Sequence, residues 1–256
     1  MITKDNLRIA IRSLHHHLQG SKRKHLVIGV SGGVDSAATL ALLLEMNKTF
    51  PGFYEIIPVS CPIGCSIGTT EQYEAHELAA SLCAHFKIPL RTIPLGTLSK
   101  QTMKSLEADS SYLVQQVDYW LRPMAFYKVS MENPNSILVG TINKSEWDLG
   151  WFSQYLDILG VNPIIDLLKS EVYQLADMLG VPSFITKVPP KGGLASGETD
   201  EESLGFTYQQ YEDFLLGPPV GPKIEKLIIE RMNSSQFKRD RFNPAFVQGF
   251  FKDYYS

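Results

Sequence analysis

Residues 25–46, His-Leu-Val-Ile-Gly-Val-Ser-Gly-Gly-Val-Asp-Ser-Ala-Ala-Thr-Leu-Ala-Leu-Leu-Leu-Glu-Met, constrain this chain more than any other stretch. Leu26 to Val30 are a short apolar run rich in branched side chains, as in a parallel strand buried on both faces. Ser31-Gly32-Gly33 reads as a turn, and from Val34 the spacing becomes helical. A strand that passes through two glycines into a helix leaves backbone N–H groups at the helix start outside the intrahelical ladder. With the helix dipole they make a site for a phosphate or diphosphate. The candidate cradle is Gly29, Val30, Ser31, Gly32, Gly33, Val34, Asp35 and Ser36, with the two serines adding hydroxyls. Asp35 would repel a phosphate directly, so its presence calls for a divalent cation between them. The residues alone equally allow an ordinary strand–turn–helix junction capped by Ser31. The Gly-x-x-x-x-Gly-Lys-Ser/Thr loop and the Gly-x-Gly-x-x-Gly fingerprint are both absent.

Strands recur between helical stretches. Tyr54–Ser60, Leu90–Leu95 and Ser136–Gly140 read as strands. Helices are expected over 5–19, about 70–86, two within 97–130, from Lys144 to Phe152, and over about 207–216 and 221–233. Strands separated by helices imply an α/β fold, a doubly wound parallel sheet with helices on both faces. Ligands of such sheets lie at the carboxyl ends of the strands, where Gly29–Ser36, Ser60–Gly64 and Gly140–Glu146 fall. With 256 residues, 44% of them hydrophobic, a single domain with one sizeable core is expected over 1–256. Residues 187–203 are long and aperiodic, and read as a mobile lid rather than a plain linker. The aromatic tail Phe250–Tyr255 is too apolar to leave wholly in water.

The formal net charge of −3 gives no electrostatic case for nucleic acid, and no apolar run reaches the length of a membrane span. Three cysteines make no disulfide framework, and Cys61 and Cys65 lack a second Cys/His pair for a metal. A cytoplasmic protein with reduced thiols is expected. His15, His16 and His17 point to different faces of a helix and cannot form a metal trio.

The Ser-Gly-Gly-x-Asp-Ser string at Ser31–Ser36 resembles the diphosphate loop of the N-type ATP pyrophosphatases, which cleave ATP between its α and β phosphates. The later segments narrow the resemblance. Gly140-Thr-Ile-Asn-Lys-Ser-Glu146, Gly150-Trp-Phe, Asn162-Pro-Ile, Leu168-Lys169, Leu179-Gly-Val-Pro182 and the run from Gly197 to Tyr208 are similar, in order and spacing, to the NAD synthetases. The resemblance implies a homodimer that uses ATP and Mg2+ to convert deamido-NAD and ammonia into NAD, AMP and diphosphate through an acyl-adenylate. The ammonia would arrive free or from a separate glutaminase. It further implies that Asp35 and Glu146 share a magnesium ion, that Thr141, Lys169 and Lys191 touch ATP, and that Asp35 and Lys169 act in catalysis. Arg122, Gln154, Asp157 and Lys238 fall at positions that contact deamido-NAD.

Without the resemblance, Thr141 reads as a strand-end hydroxyl, Glu146 as a helix N-terminal acid and Lys169 as a surface lysine. The acceptor side departs from the family pattern. Gln154 stands where the family has Lys, Lys191 replaces a hydroxyl, and the Leu156–Val161 loop lacks one aspartate. Those departures define the alternative, an amide ligase of the same chemistry acting on a different carboxylate.

Overall fold

The computed structural model describes residues 2–63, 71–153, 159–190 and 199–240. In chain order the elements are α1 (Lys4–Gly20), β1 (His25–Gly29), α2 (Val34–Thr49), β2 (Glu55–Ser60), α3 (Glu71–His85), β3 (Arg91–Thr92), α4 (Gly96–Ser105) and α5 (Ser111–Glu132). They continue with β4 (Ser136–Val139), α6 (Lys144–Asp148), α7 (Lys169–Met178), α8 (Ser183–Thr186), α9 (Asp200–Leu204), α10 (Tyr208–Leu216), α11 (Pro222–Ser234) and α12 (Gln236–Asp240). The described strands form one parallel sheet in the order β3-β2-β1-β4.

That order follows from where apolar side chains can go. β1 lies between β2 and β4, and its side chains alternate across the pleat. Leu26 and Ile28 enter a core shared with α1, α2 and α7, whereas Val27 enters a second core with Val59, Leu121 and Val129 of the opposite face. α2 has no polar stripe. Ten of its sixteen residues, from Val34 to Met46, are buried, as befits a helix sandwiched between the sheet and other helices. A third apolar cluster joins Leu149, Tyr211 and Ile228 and fastens α10 and α11 to the end of α6.

The sequence-based boundaries fit with two departures. The third strand is shortened to Arg91–Thr92. Its edge pairing nevertheless continues, as the Ile93 amide donates to the Ser60 carbonyl at 2.9 Å and the Leu95 amide to the Pro62 carbonyl at 3.0 Å. Pro94 interrupts regular strand geometry between those two bonds. The helix expected to run to Phe152 stops at Asp148, because the chain turns at Gly150 with φ +61°. A Cβ there would lie 2.2 Å from Cβ of Ser235, so only glycine fits. Within the span expected as a lid, α9 begins at Asp200, whose amide donates to the Pro190 carbonyl at 3.1 Å. That bond draws the two ends of 191–198 together, while 191–198 itself lies outside the described residues, as do Gly64, Cys65 and the aromatic tail.

His15 is packed rather than solvated. Its ring stacks on Phe50 at 3.6 Å between centroids, and its Nδ1 is 2.8 Å from the Tyr54 hydroxyl. Cys61 and Cys83 are free thiols that burial pushes up to about 11. Among the described residues no helix is long and apolar enough to cross a membrane.

Candidate active site

The strand order reverses at β1. The chain builds β2 and β3 outward on one side and then returns to place β4 on the other. The crevice between the carboxyl ends of β1 and β4 is therefore the topological switch point. Both sequence segments singled out above open there: Gly29–Ser36 leaves β1, and Gly140–Glu146 leaves β4.

The turn after β1 is braced from within. The Val30 amide donates to the Val59 carbonyl at 2.8 Å. The Ser31 amide donates to Ser36 Oγ at 3.2 Å, the Gly33 amide to Ser31 Oγ at 3.3 Å, and Ser36 Oγ to the Gly33 carbonyl at 3.0 Å. In this conformation the buried Ser36 hydroxyl thus holds the loop's shape. Gly32 has φ +83°, and a Cβ there would lie 2.6 Å from the Ala75 carbonyl oxygen, so both backbone angle and space require glycine. At the other edge a Cβ on Gly29 would meet the ring of Phe126 at 2.6 Å. Gly33 is the N-cap of α2 and supplies no side-chain cap. The first intrahelical bond runs from Ala37 to Gly33, so the amides of Val34, Asp35 and Ser36 precede the ladder, as an anion cradle needs.

α6 carries its own cap. Asn143 Oδ1 accepts from the Glu146 amide at 2.9 Å, and Glu146 Oε2 accepts from the Asn143 amide at 3.3 Å, a reciprocal capping box. Asn143 is fully buried, and its Nδ2 donates to Asp35 Oδ1 at 2.8 Å. One side chain therefore fixes the start of α6 and ties it to the first turn of α2. Sequence reasoning gave Asn143 no role, although Asn-x-x-Glu is the pattern of such a cap.

Lys169 closes the arrangement. It is the first residue of α7, where the helix dipole disfavours a cation, and its backbone amide donates to Ser145 Oγ at 3.0 Å. Its Nζ donates to Asp35 Oδ2 at 2.6 Å and to Glu146 Oε1 at 3.2 Å. Far from being a surface lysine, it is 2% exposed. Burial on its own would drive the ammonium towards neutrality; the charges of Asp35 and Glu146 outweigh it and hold the proton on Nζ. Glu146 is pushed above the ordinary carboxylate range by burial first and by Asp35 second, with Lys169 opposing.

Tyr208 lies with its ring centroid 5.2 Å from the Lys169 ammonium, and its hydroxyl donates to Asp200 Oδ2 at 3.1 Å. Burial and then the Glu146 charge keep that phenol protonated, and burial raises Asp200. Asp200 and Tyr208 were not singled out from the sequence; α9 and α10 bring them in.

The remaining expected residues are less gathered. Thr141 is half-buried just beyond β4. Arg122 on α5 lies over the Tyr119 ring at 5.7 Å. Lys238 on α12 donates to the carbonyls of Gly150 and Phe152, both at 2.8 Å. No described contact joins Arg122 to Lys238. Gln154, Asp157 and Lys191 lie outside the described residues.

Asp35 and Glu146 fit a magnesium ion. Mg2+ typically takes one or two carboxylates and fills its octahedron with water and substrate phosphates. Two carboxylates within reach of one ammonium, beside a helix N-terminus suited to phosphate, are that donor set.

The same geometry fixes how removing the ammonium must act. Lys169→Met removes the cation shared by two half-buried carboxylates, which raises the proton affinity of Glu146 further, in the folded state only. A group raised in this way loses stability as pH climbs above the unfolded carboxylate range of about 4. The variant should lose about 3–5 kcal/mol near pH 8, as expected for a broken buried ion pair, and much less near pH 5. Urea unfolding at both pH values measures this, and an equal loss at both would contradict the arrangement.

Comparison with known proteins places the chain in a family. The family model described as NAD synthase matches residues 7–241. The chain is 35% identical over 222 residues to an NH(3)-dependent NAD(+) synthetase of Syntrophomonas wolfei, covering 84% of each chain. Among solved structures it is similar to an NMN synthetase from Francisella tularensis, with a TM-score of 0.82 and 27% identity, covering 93% of this chain and 97% of that one. It shares its fold with an NAD+ synthetase from Burkholderia pseudomallei, with a TM-score of 0.75 and 21% identity over 93% and 90% of the two chains. With a family model spanning most of its length and a relative above 30% identity, the chain belongs to the NAD synthase family.

Proposed function

We propose that this protein is an ammonia-dependent, AMP-forming synthetase that converts the nicotinate carboxyl of deamido-NAD into the carboxamide of NAD. The observation that carries the reading is the closure of Asp35, Asn143, Glu146 and Lys169 over the β1–β4 crevice, beside the glycine turn. The acid's carboxylate attacks the α-phosphorus of ATP, the bond to the β-phosphate breaks and diphosphate leaves. Ammonia then attacks the acyl carbon of the adenylate, the bond to AMP breaks, and one proton is released.

Such a transfer needs positioned charge rather than a protein nucleophile. The amides at the start of α2 receive the departing diphosphate, and Thr141 and Lys169 contact the phosphates. Asp35 and Glu146 would hold the magnesium ion, which supplies fixed positive charge to the phosphate oxygens. Arg122 and Lys238 are proposed for the acid, with Gln154, Asp157 and Lys191 completing the two substrate sites.

A specific observation favours a second acceptor. The Francisella tularensis NMN synthetase superposes with the higher TM-score, and the departures from the family pattern fall on the acceptor side. The second reading is amidation of nicotinate mononucleotide, the same carboxyl without the adenylate half. A hydrogen bond to a charged group contributes about 1.5–3 kcal/mol, so losing two would weaken deamido-NAD by roughly 10²–10⁴-fold.

We also propose a homodimer, through α5. Leu113, Trp120, Met124, Tyr127 and Met131 are exposed on that helix at spacings that place them on one face, a stripe about 27 Å long at 1.5 Å per residue. The stripe is nearly symmetric about position 122. Across a two-fold axis, Leu113 would meet the partner's Met131, and Trp120 the partner's Met124.

Three measurements test these proposals. With ATP, Mg2+ and ammonia, AMP and diphosphate should form in equal amounts and only when an acid is added. Faster turnover with nicotinate mononucleotide than with deamido-NAD selects the second acceptor; ADP formation, or no dependence on either acid, contradicts both. Asp35→Asn should cut kcat by about 10²-fold or more. Light scattering should report a dimer that Met124→Glu converts to monomer; a variant that stays dimeric rules out the α5 surface.

A further inference from the structure

The carboxylate pair that suits a magnesium ion is already bridged by a cation of the chain itself. Lys169 Nζ lies 2.6 Å from Asp35 Oδ2 and 3.2 Å from Glu146 Oε1, with the side chain 3% exposed. The other two oxygens of the pair accept from Asn143, at Oδ1 of Asp35 and Oε2 of Glu146. Every carboxylate oxygen facing this position is therefore engaged. Mg2+ binds oxygens at about 2.0–2.1 Å in near-octahedral geometry. An ammonium 2.6 Å from Oδ2 stands inside the space such an ion needs. In a buried site water screens the repulsion between two cations poorly. The ammonium and the metal therefore compete for this pair.

The lysine's backbone is fixed independently of its head. The Lys169 amide is held by Ser145 Oγ, and the next amide, that of Ser170, by Glu212 Oε1 at 2.9 Å. Beyond them runs a flexible four-carbon stem with three donors at its tip. The face of Tyr208 closes off one direction of escape. Asp35 itself belongs to the first turn of α2, so a polyphosphate on the Ser31–Ser36 turn would bring new anionic oxygens beside the ammonium.

We propose that Lys169 holds the metal position as a resident counter-ion, so that a divalent cation binds Asp35 and Glu146 only when a nucleotide's phosphates draw the ammonium away. Metal and nucleotide then enter as a coupled pair. By linkage each raises the affinity of the other, and the empty protein never presents two uncompensated buried carboxylates. The inference rests on the proposed ATP and magnesium reading of the site, and goes beyond it by assigning the order in which the charges are exchanged.

The test uses Mn2+ as probe, with no ammonia, acid or nucleotide present. Free Mn2+ followed by electron paramagnetic resonance should show weak binding to the wild-type protein. Lys169→Met should bind it about 10–100-fold more tightly, the range of ordinary coupling between sites, and adding Asp35→Asn should abolish the gain. Wild-type affinity equal to that of Lys169→Met, or a gain that survives Asp35→Asn, overturns the proposal.

Should Lys169→Met fail to fold, the wild-type protein gives the answer through the 15Nζ resonance of Lys169. It should persist unshifted in millimolar Mg2+ and move when Mg2+ and α,β-methylene-ATP are added together. A shift with Mg2+ alone overturns the exchange. Neither arm involves turnover, so a protein inactive on both acids could still show the exchange, and an active one could lack it.

Discussion

One buried ammonium organises the functional end of this molecule. Lys169 is reached from α7, Glu146 from α6, and Asp35 from the first turn of α2, more than a hundred residues of sequence before either. Two half-buried carboxylates this close would repel each other, and the shared lysine offsets that repulsion. The cation sits at a helix N-terminus, against the dipole, and such a local violation of the usual preference is what a functional site leaves behind.

The sheet makes that meeting possible. Because β1 is central and β4 joins it from the side opposite β2, the turns after β1 and β4 open into the same crevice. Asn143 converts proximity into fixed geometry, capping α6 with one end of its amide and holding Asp35 with the other. Glycines shape the remaining wall. Gly32 has a backbone angle and a neighbouring carbonyl that exclude a side chain, and Gly29 leaves room for Phe126. In the proposed reaction, nucleotide phosphates would meet helix amides on one side of this crevice and the lysine–carboxylate group on the other.

Much of this was legible in the sequence for physical reasons. The apolar run at Leu26–Val30 and the glycine turn behind it specify a buried strand feeding a helix, and strand–helix alternation specifies a parallel sheet. α7 was also legible in principle, since Val172, Leu175 and Ala176 repeat at helical spacing behind a Glu171 cap, but it was not assigned. What periodicity cannot give is which distant residues meet. Nothing local marks Lys169 as buried, or Tyr208 and Asp200 as its neighbours, because their burial depends on how α7, α9 and α10 close over α6. Asn143 escaped because a capping residue and a bridging residue look alike in one dimension. The shortened third strand and the early end of α6 turn on Pro94 and on the crowding of Gly150 by Ser235.

In the proposed reaction this constellation directs an acid's oxygen onto the α-phosphorus of ATP. The most direct measurement uses an acceptor acid labelled with 18O in its carboxyl group, with ammonia, ATP and Mg2+, followed by 31P NMR of the products. Transfer of one labelled oxygen to the phosphate of AMP, with none in diphosphate, is the predicted result. Label in diphosphate or in inorganic phosphate, or unlabelled AMP, would contradict it.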